Sequence, residues 1–133
     1  MKRKWAVVIL FIVYSIFIIW YTILSREPGP SKADLRLLWA YREIITGHPH
    51  GKEDAVQNVS NILFFIPFGL LFPNKKWQTV LLTSFAFSTA IEVIQYIGGF
   101  GLCELDDVIC NTAGAVIGYW IWQVVKKNKK GNR

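Results

Sequence analysis

Along the 133 residues the apolar positions gather in long runs, with the charges between them. Neither the 3.6-residue stripe of a surface helix nor the alternation of a half-buried strand dominates. Four runs approach the roughly 20 residues that a helix needs to cross ~30 Å of hydrocarbon: residues 5–24, 56–72, 78–97 and 105–125. The pattern predicts an all-α integral membrane protein, a single membrane domain over 1–133 with four transmembrane helices. Lys2, Arg3 and Lys4 precede the first run as they would a signal peptide. That run is longer than the roughly 7 to 15 apolar residues of such a segment, and no Ala-x-Ala-like site follows Leu24, so it reads as a retained anchor.

The connection between the first two runs is the only sizeable one. Pro28, Gly29 and Pro30 end any continuation of the first helix. Ser31 and Asp34 then have capping-box spacing, with Asp in place of the usual Glu or Gln. Leu37, Leu38, Tyr41, Ile44 and Ile45 share one broad face, which predicts a helix over 31–46 lying on the outer membrane surface. His48 and His50 follow, near Glu53 and Asp54. Pro49 keeps that stretch extended and no third strong ligand stands at a recognisable spacing, so it reads as a solvated loop and no metal site is assigned.

Composition agrees with the membrane class: 53% of residues are hydrophobic and 15% aromatic. The net charge of +6 adds orientation, because Lys and Arg near span ends are held on the cytoplasmic side. Basic residues precede the first run, Lys75 and Lys76 separate the second from the third, and Lys126, Lys127, Lys129, Lys130 and Arg133 follow the fourth. With four spans these places share one side and both termini are cytoplasmic. Beside a membrane span the basic tail is expected to anchor on the leaflet, with no nucleic acid as partner. Cys103 and Cys110 would lie about 10 Å apart along a helix axis, beyond the ~7 Å reach of a disulfide.

No Gly-rich phosphate loop or zinc-protease motif occurs, so chemistry must come from polar residues within the spans. Asn58 and Asn61 are three apart and face nearly the same way. Ser84, Ser88, Glu92 and Gln95 fall within an arc of about 80°, and Asp107, Asn111, Gly114 and Gly118 within about 60°. The glycines form a GxxxG surface on which a neighbouring helix can lie closely. Three spans thus carry polar groups at similar depth near the outer side, on faces able to point inward. Asp106 and Asp107 begin a helix, where carboxylates also serve as caps. Glu92 lies inside its span with no basic residue on the same helix, which favours a functional role.

NVSNILFFIPFGLLFP, STAIEVIQ and DDVICNTAGAVIG resemble the VanZ-like family of small bacterial membrane proteins, named for a protein associated with teicoplanin resistance, over about 54–122. The motifs are the Asn pair with Phe65, Pro67 and Gly69; Ile91, Glu92 and Gln95; and Asp107, Asn111, Gly114 and Gly118. The family usually has an arginine between the last two motifs, where this chain has GGFGLCE with Gly101 near the expected place. The resemblance implies residence in the bacterial cytoplasmic membrane and reduced sensitivity to teicoplanin-type glycopeptides. It makes Pro67, Gly69, Gly114 and Gly118 packing positions.

From the residues and the resemblance together, the first expectation is a binding module with no required cofactor. Asn58, Asn61, Glu92, Gln95, Asp107 and Asn111 would line an acidic pocket at the outer leaflet for a lipid headgroup, a cell-wall precursor lipid or the glycopeptide. The alternative is an intramembrane enzyme acting on a lipid-linked phosphate or sugar, with Glu92 and Asp107 as acid and base or as ligands of a divalent cation. A structural partner subunit is the third reading, and it would tolerate apolar replacement of these polar residues.

Overall fold

The computed structural model describes residues 2–25, 27–47, 51–72 and 76–131. The loop reading of His48 and His50 lies outside the described residues, as do Lys75 and Arg133. The chain is mostly helical: α1 (Lys2–Ile19), a π-helical turn (Trp20–Leu24), β1 (Lys32–Asp34), α2 (Trp39–Thr46), α3 (Gly51–Leu70), α4 (Trp77–Gly98), β2 (Leu102–Glu104) and α5 (Leu105–Gly131).

Three stretches are long and apolar enough to cross a membrane: Trp5–Leu24, Trp77–Gly98 and Leu105–Lys129. These make the chain a membrane protein. The expected span 56–72 falls on α3, which begins earlier, in Gly51-Lys52-Glu53-Asp54, ends two residues sooner, at Leu70, and is not among the three. Its first turns are polar, which lowers its hydropathy relative to the other long helices.

The expected helix over 31–46 is corrected at its start. Helix α2 begins only at Trp39, and Lys32–Asp34 is a strand paired in parallel with Leu102–Glu104, Asp34 opposite Glu104. The reason lies in Asp34. Its carboxylate accepts the backbone N–H of Arg36 at 3.0 Å and its guanidinium through Nε at 2.9 Å. A short acidic side chain bonded two residues ahead competes with the helical turn it was expected to cap.

Helices α3 and α5 form the closest seam of the bundle. A Cβ on Gly114 would strike the Ile62 carbonyl, one on Gly118 the Ile66 carbonyl, and one on Gly69 the Ala115 carbonyl. The contacts at 62 and 114 recur four residues on at 66 and 118, so the helices run parallel. Helix α1 joins through bulk instead. Phe11 packs on Phe68 and Phe72, with ring centroids 4.9 and 4.7 Å apart, and the Tyr14 hydroxyl donates to the Phe64 carbonyl at 2.6 Å. Around these contacts Ile18, Ile23, Phe65, Phe68, Val80, Ile91, Ala115 and Tyr119 form the buried core.

Candidate functional site

The polar residues of the long helices collect at one end of the bundle, where α3 begins, α4 ends and α5 begins. Asn61 on α3 donates from Nδ2 to Asp107 Oδ1 on α5 at 2.6 Å. One turn deeper on α5, Asn111 Nδ2 donates to the Ser88 hydroxyl of α4 at 2.9 Å. These two bonds tie α5 to both neighbours on the side where the glycines hold it against α3.

Glu92 and Gln95 belong to the same end but are bonded elsewhere. The Glu92 carboxylate accepts the Glu104 backbone N–H at 3.0 Å, which fixes β2 over the end of α4. Gln95 donates to the Thr22 carbonyl at 2.8 Å. Thr22 sits in the π-helical turn, whose wider spacing is marked by the Ser25 N–H bonding back to the Trp20 carbonyl at 2.9 Å. Such turns redirect backbone groups toward partners outside the helix.

Burial makes the cluster expensive unless its atoms are paired. Asn58 is 4% exposed, Glu92 4%, Gln95 3% and Asn111 6%. Asn58 Nδ2 and Asn111 Oδ1 are buried without a hydrogen-bond partner. Turning the Asn111 amide over would only exchange which of its atoms is satisfied, since Ser88 offers one hydroxyl. A donor on α3 and an acceptor on α5 therefore stay open inside the bundle.

The structure adds residues that sequence reasoning did not place here. Trp39 Nε1 donates to Glu104 Oε1 at 3.3 Å. Asp106, 2% exposed, accepts the Leu38 backbone N–H at 2.7 Å, and Leu38 is held in the left-handed region at φ 53°. Asp106 thus ties down the segment before α2. The Gly29 N–H donates to the Gly99 carbonyl at 2.7 Å. Residues 29–39 are consequently strapped over the polar end. The only trace of this in the sequence is the Asp106-Asp107 doublet, which offers one carboxylate more than the α5 stripe uses.

Electrostatics outside the spans follow from this crowding. Burial, then the charge of Asp107, pushes the Glu104 carboxyl up to about 7, against the Trp39 hydrogen bond that lowers it. The Cys103 thiol is pushed up by burial and then by Glu92, Asp107 and Glu104; both Cys103 and Cys110 are free thiols. Asp34 is held below the ordinary carboxylate range by its bond to Arg36. Among the described residues no three His, Cys, Asp or Glu side chains gather as a metal-binding group.

The expected acidic pocket differs from what is open here. A cavity of ≈ 700 Å3 lies beside α2, lined by Arg36, Leu37, Trp39, Arg42, Glu43 and Thr46, and none of the six expected binding residues lines it. Four of those six are closed in by helix packing and by the strap. Gly101 stands near the place where the resemblance implies an arginine. Gly101 has φ 143°, a conformation that disfavours an L side chain.

A family model described as VanZ/LLP1 matches residues 11–126. Protein VanZ of Enterococcus faecium is 35% identical over 74 residues, a match covering 53% of this chain and 46% of that protein. The match thus spans about half the length of that curated relative. No solved structure matches the chain.

Proposed function

Because the chain belongs to the VanZ/LLP1 family, we propose that it lowers sensitivity to teicoplanin-type glycopeptides by binding a polar ligand at the closed end of its helix bundle. The ligand is a lipid headgroup, a cell-wall precursor lipid or the glycopeptide itself. The reading places the protein in the bacterial cytoplasmic membrane with α3 as a fourth span, both termini in the cytoplasm and the polar end facing out. The observation that carries it is the buried pair of open amide atoms, Asn58 Nδ2 and Asn111 Oδ1, beside the Asn61–Asp107 bond. A ligand that offers an acceptor to Asn58 Nδ2 and a donor to Asn111 Oδ1 would satisfy them. Glu92 and Asp107 supply negative charge for an ammonium or a cation at the same end.

The test is a Glu92→Gln variant in a strain whose glycopeptide sensitivity depends on the protein. The amide keeps the size of the side chain and its capacity to accept from the Glu104 N–H. Sensitivity is expected to return to that of a strain lacking the protein, at unchanged membrane abundance. Full resistance at normal abundance would remove Glu92 from the function. Product release from a lipid-linked phosphate or sugar by the purified protein, lost in the variant, would favour turnover over binding.

A further inference from the structure

The cavity beside α2 has a chemistry of its own. Arg36 enters it from the turn after β1 with its guanidinium already oriented. Asp34 takes Nε at 2.9 and 3.1 Å and also bonds Nη2, while the Trp39 ring lies 4.9 Å under Cζ. Those contacts occupy one edge and one face of the planar fork. Nη1 has no hydrogen-bond partner among the described residues, so the remaining donors are pre-aimed and little entropy is lost in using them. Arg42, one turn along α2 from Trp39, lines the same cavity with its guanidinium in no ion pair among the described residues.

Two guanidinium groups around one space suit a phosphate, which accepts from several N–H donors at once. The lining is not simply cationic, however. Glu43 is on the wall, and Asp34 neutralises Arg36 from behind. A doubly anionic ligand would meet a carboxylate in a space whose charges nearly cancel, whereas a zwitterion would find a partner for each pole. The surroundings decide the source. Leu37 is 60% exposed, Leu38 51%, Tyr41 41%, Ile44 41% and Ile45 86%, so the segment carrying the arginines has an apolar surface suited to the headgroup boundary of a bilayer.

We propose that this cavity holds the headgroup of a zwitterionic phospholipid with a primary ammonium, its phosphodiester between Arg36 and Arg42 and its ammonium N–H donors on Glu43, which a quaternary ammonium cannot supply. The site is separate from the buried amide cluster and does not rest on the glycopeptide reading. Trp39 joins the two, since its ring backs Arg36 and its Nε1–H holds Glu104.

The full chain is purified in detergent and offered phosphatidylethanolamine, phosphatidylglycerol or phosphatidylcholine, with bound lipid read by native mass spectrometry. Phosphatidylethanolamine is expected to be retained several-fold over the other two. Arg42→Ala should reduce its retention about tenfold, the scale of one charge-assisted hydrogen bond. Glu43→Gln should shift the preference toward phosphatidylglycerol, because the ammonium partner is gone while both arginines remain. Arg42 is exposed and Glu43 half-buried, and an unchanged helical circular dichroism spectrum checks the fold. Equal retention of the three lipids by the unaltered chain, or retention indifferent to Arg42→Ala and Glu43→Gln together, overturns the proposal. Soluble phosphoethanolamine displacing the lipid at equal concentration would also overturn it, because the site would then take the free headgroup.

Discussion

The contacts that α3 makes with α5 and with α1 are built on opposite principles. Against α5 it meets backbone: Gly114 and Gly118 leave room for the carbonyls of Ile62 and Ile66, and Gly69 returns the favour to Ala115. Against α1 and its π-helical turn it meets side chains, with Phe64, Phe68 and, just past its end, Phe72 facing Phe11, Tyr14, Phe17 and Tyr21. The difference governs where a site can be precise. Lipid tails are as apolar as phenylalanine, so an aromatic contact in a membrane has no hydrophobic drive and tolerates sliding. A backbone contact at a glycine has one depth and one register. The polar end, with Asn61 on α3 and Asp107 and Asn111 on α5, is attached to the rigid seam.

Breaking that seam should have the largest effect. Gly114→Val places branched carbon where the Ile62 carbonyl lies, and the backbone cannot move aside as a side-chain tip could. We expect a loss on the order of 4 kcal/mol or more, seen as unfolding at much lower temperature in detergent or as absence from the membrane. Phe11→Ala on the aromatic side removes two ring contacts, but detergent or lipid can fill the space it leaves. Its loss should be clearly smaller. Equal losses would mean that the aromatic contact is as exacting as the glycine seam.

A smaller change asks whether the seam positions the polar end or depends on it. Asn61→Leu removes the bond to Asp107 and leaves the glycines untouched. Interhelical hydrogen bonds in membranes are worth about 0.6 and at most about 1.7 kcal/mol. The variant should therefore fold with a thermal midpoint only slightly lowered. A collapse comparable to Gly114→Val would show the polar bond to be the main fastening.

Much of this contrast was legible in the sequence, and the reason is periodicity. Gly114 and Gly118 advertise a close helix contact by their four-residue spacing, and the stripe of Asp107 and Asn111 above them points the same way by helical phase. What the stripes could not give was pairing. Ser88 bonds Asn111, while Glu92 and Gln95, on the same face of α4, reach β2 and the π-helical turn instead. These partners are backbone groups, which no residue type betrays. The strap was less legible still. Asp34 has the spacing of a helix cap, yet it turns to Arg36, and the three-residue strand it ends pairs with residues about seventy positions on. A parallel pair that short carries no alternation to detect. The arginine-lined cavity was likewise hidden, because it forms only once the strap has turned Arg36 toward α2.

The smallest expected effect concerns the strap, which lacks the glycine seam's rigidity and is held partly by Glu104. Its carboxyl is raised from 4.5 to about 7, chiefly by burial and then by Asp107. A raised carboxyl binds its proton more tightly in the folded than in the unfolded chain. The resulting stability is fully present below pH 4.5 and is lost as the pH climbs to about 7, where the protein must hold a carboxylate among other acids. The group is partly exposed, so water screens the cost, which we place below about 1 kcal/mol. Asp34 has the opposite sign: its depressed carboxyl loses stability only as the pH falls below its ordinary 3.8, outside this window. The thermal midpoint should fall by a small amount between pH 4.5 and 7, and Glu104→Gln should flatten that part of the curve while keeping an acceptor for Trp39 Nε1. An identical slope in the variant would free the Glu104 carboxyl of any part in it, and the strap would then rest on the β1–β2 pairing, Asp106 and the Gly29–Gly99 bond.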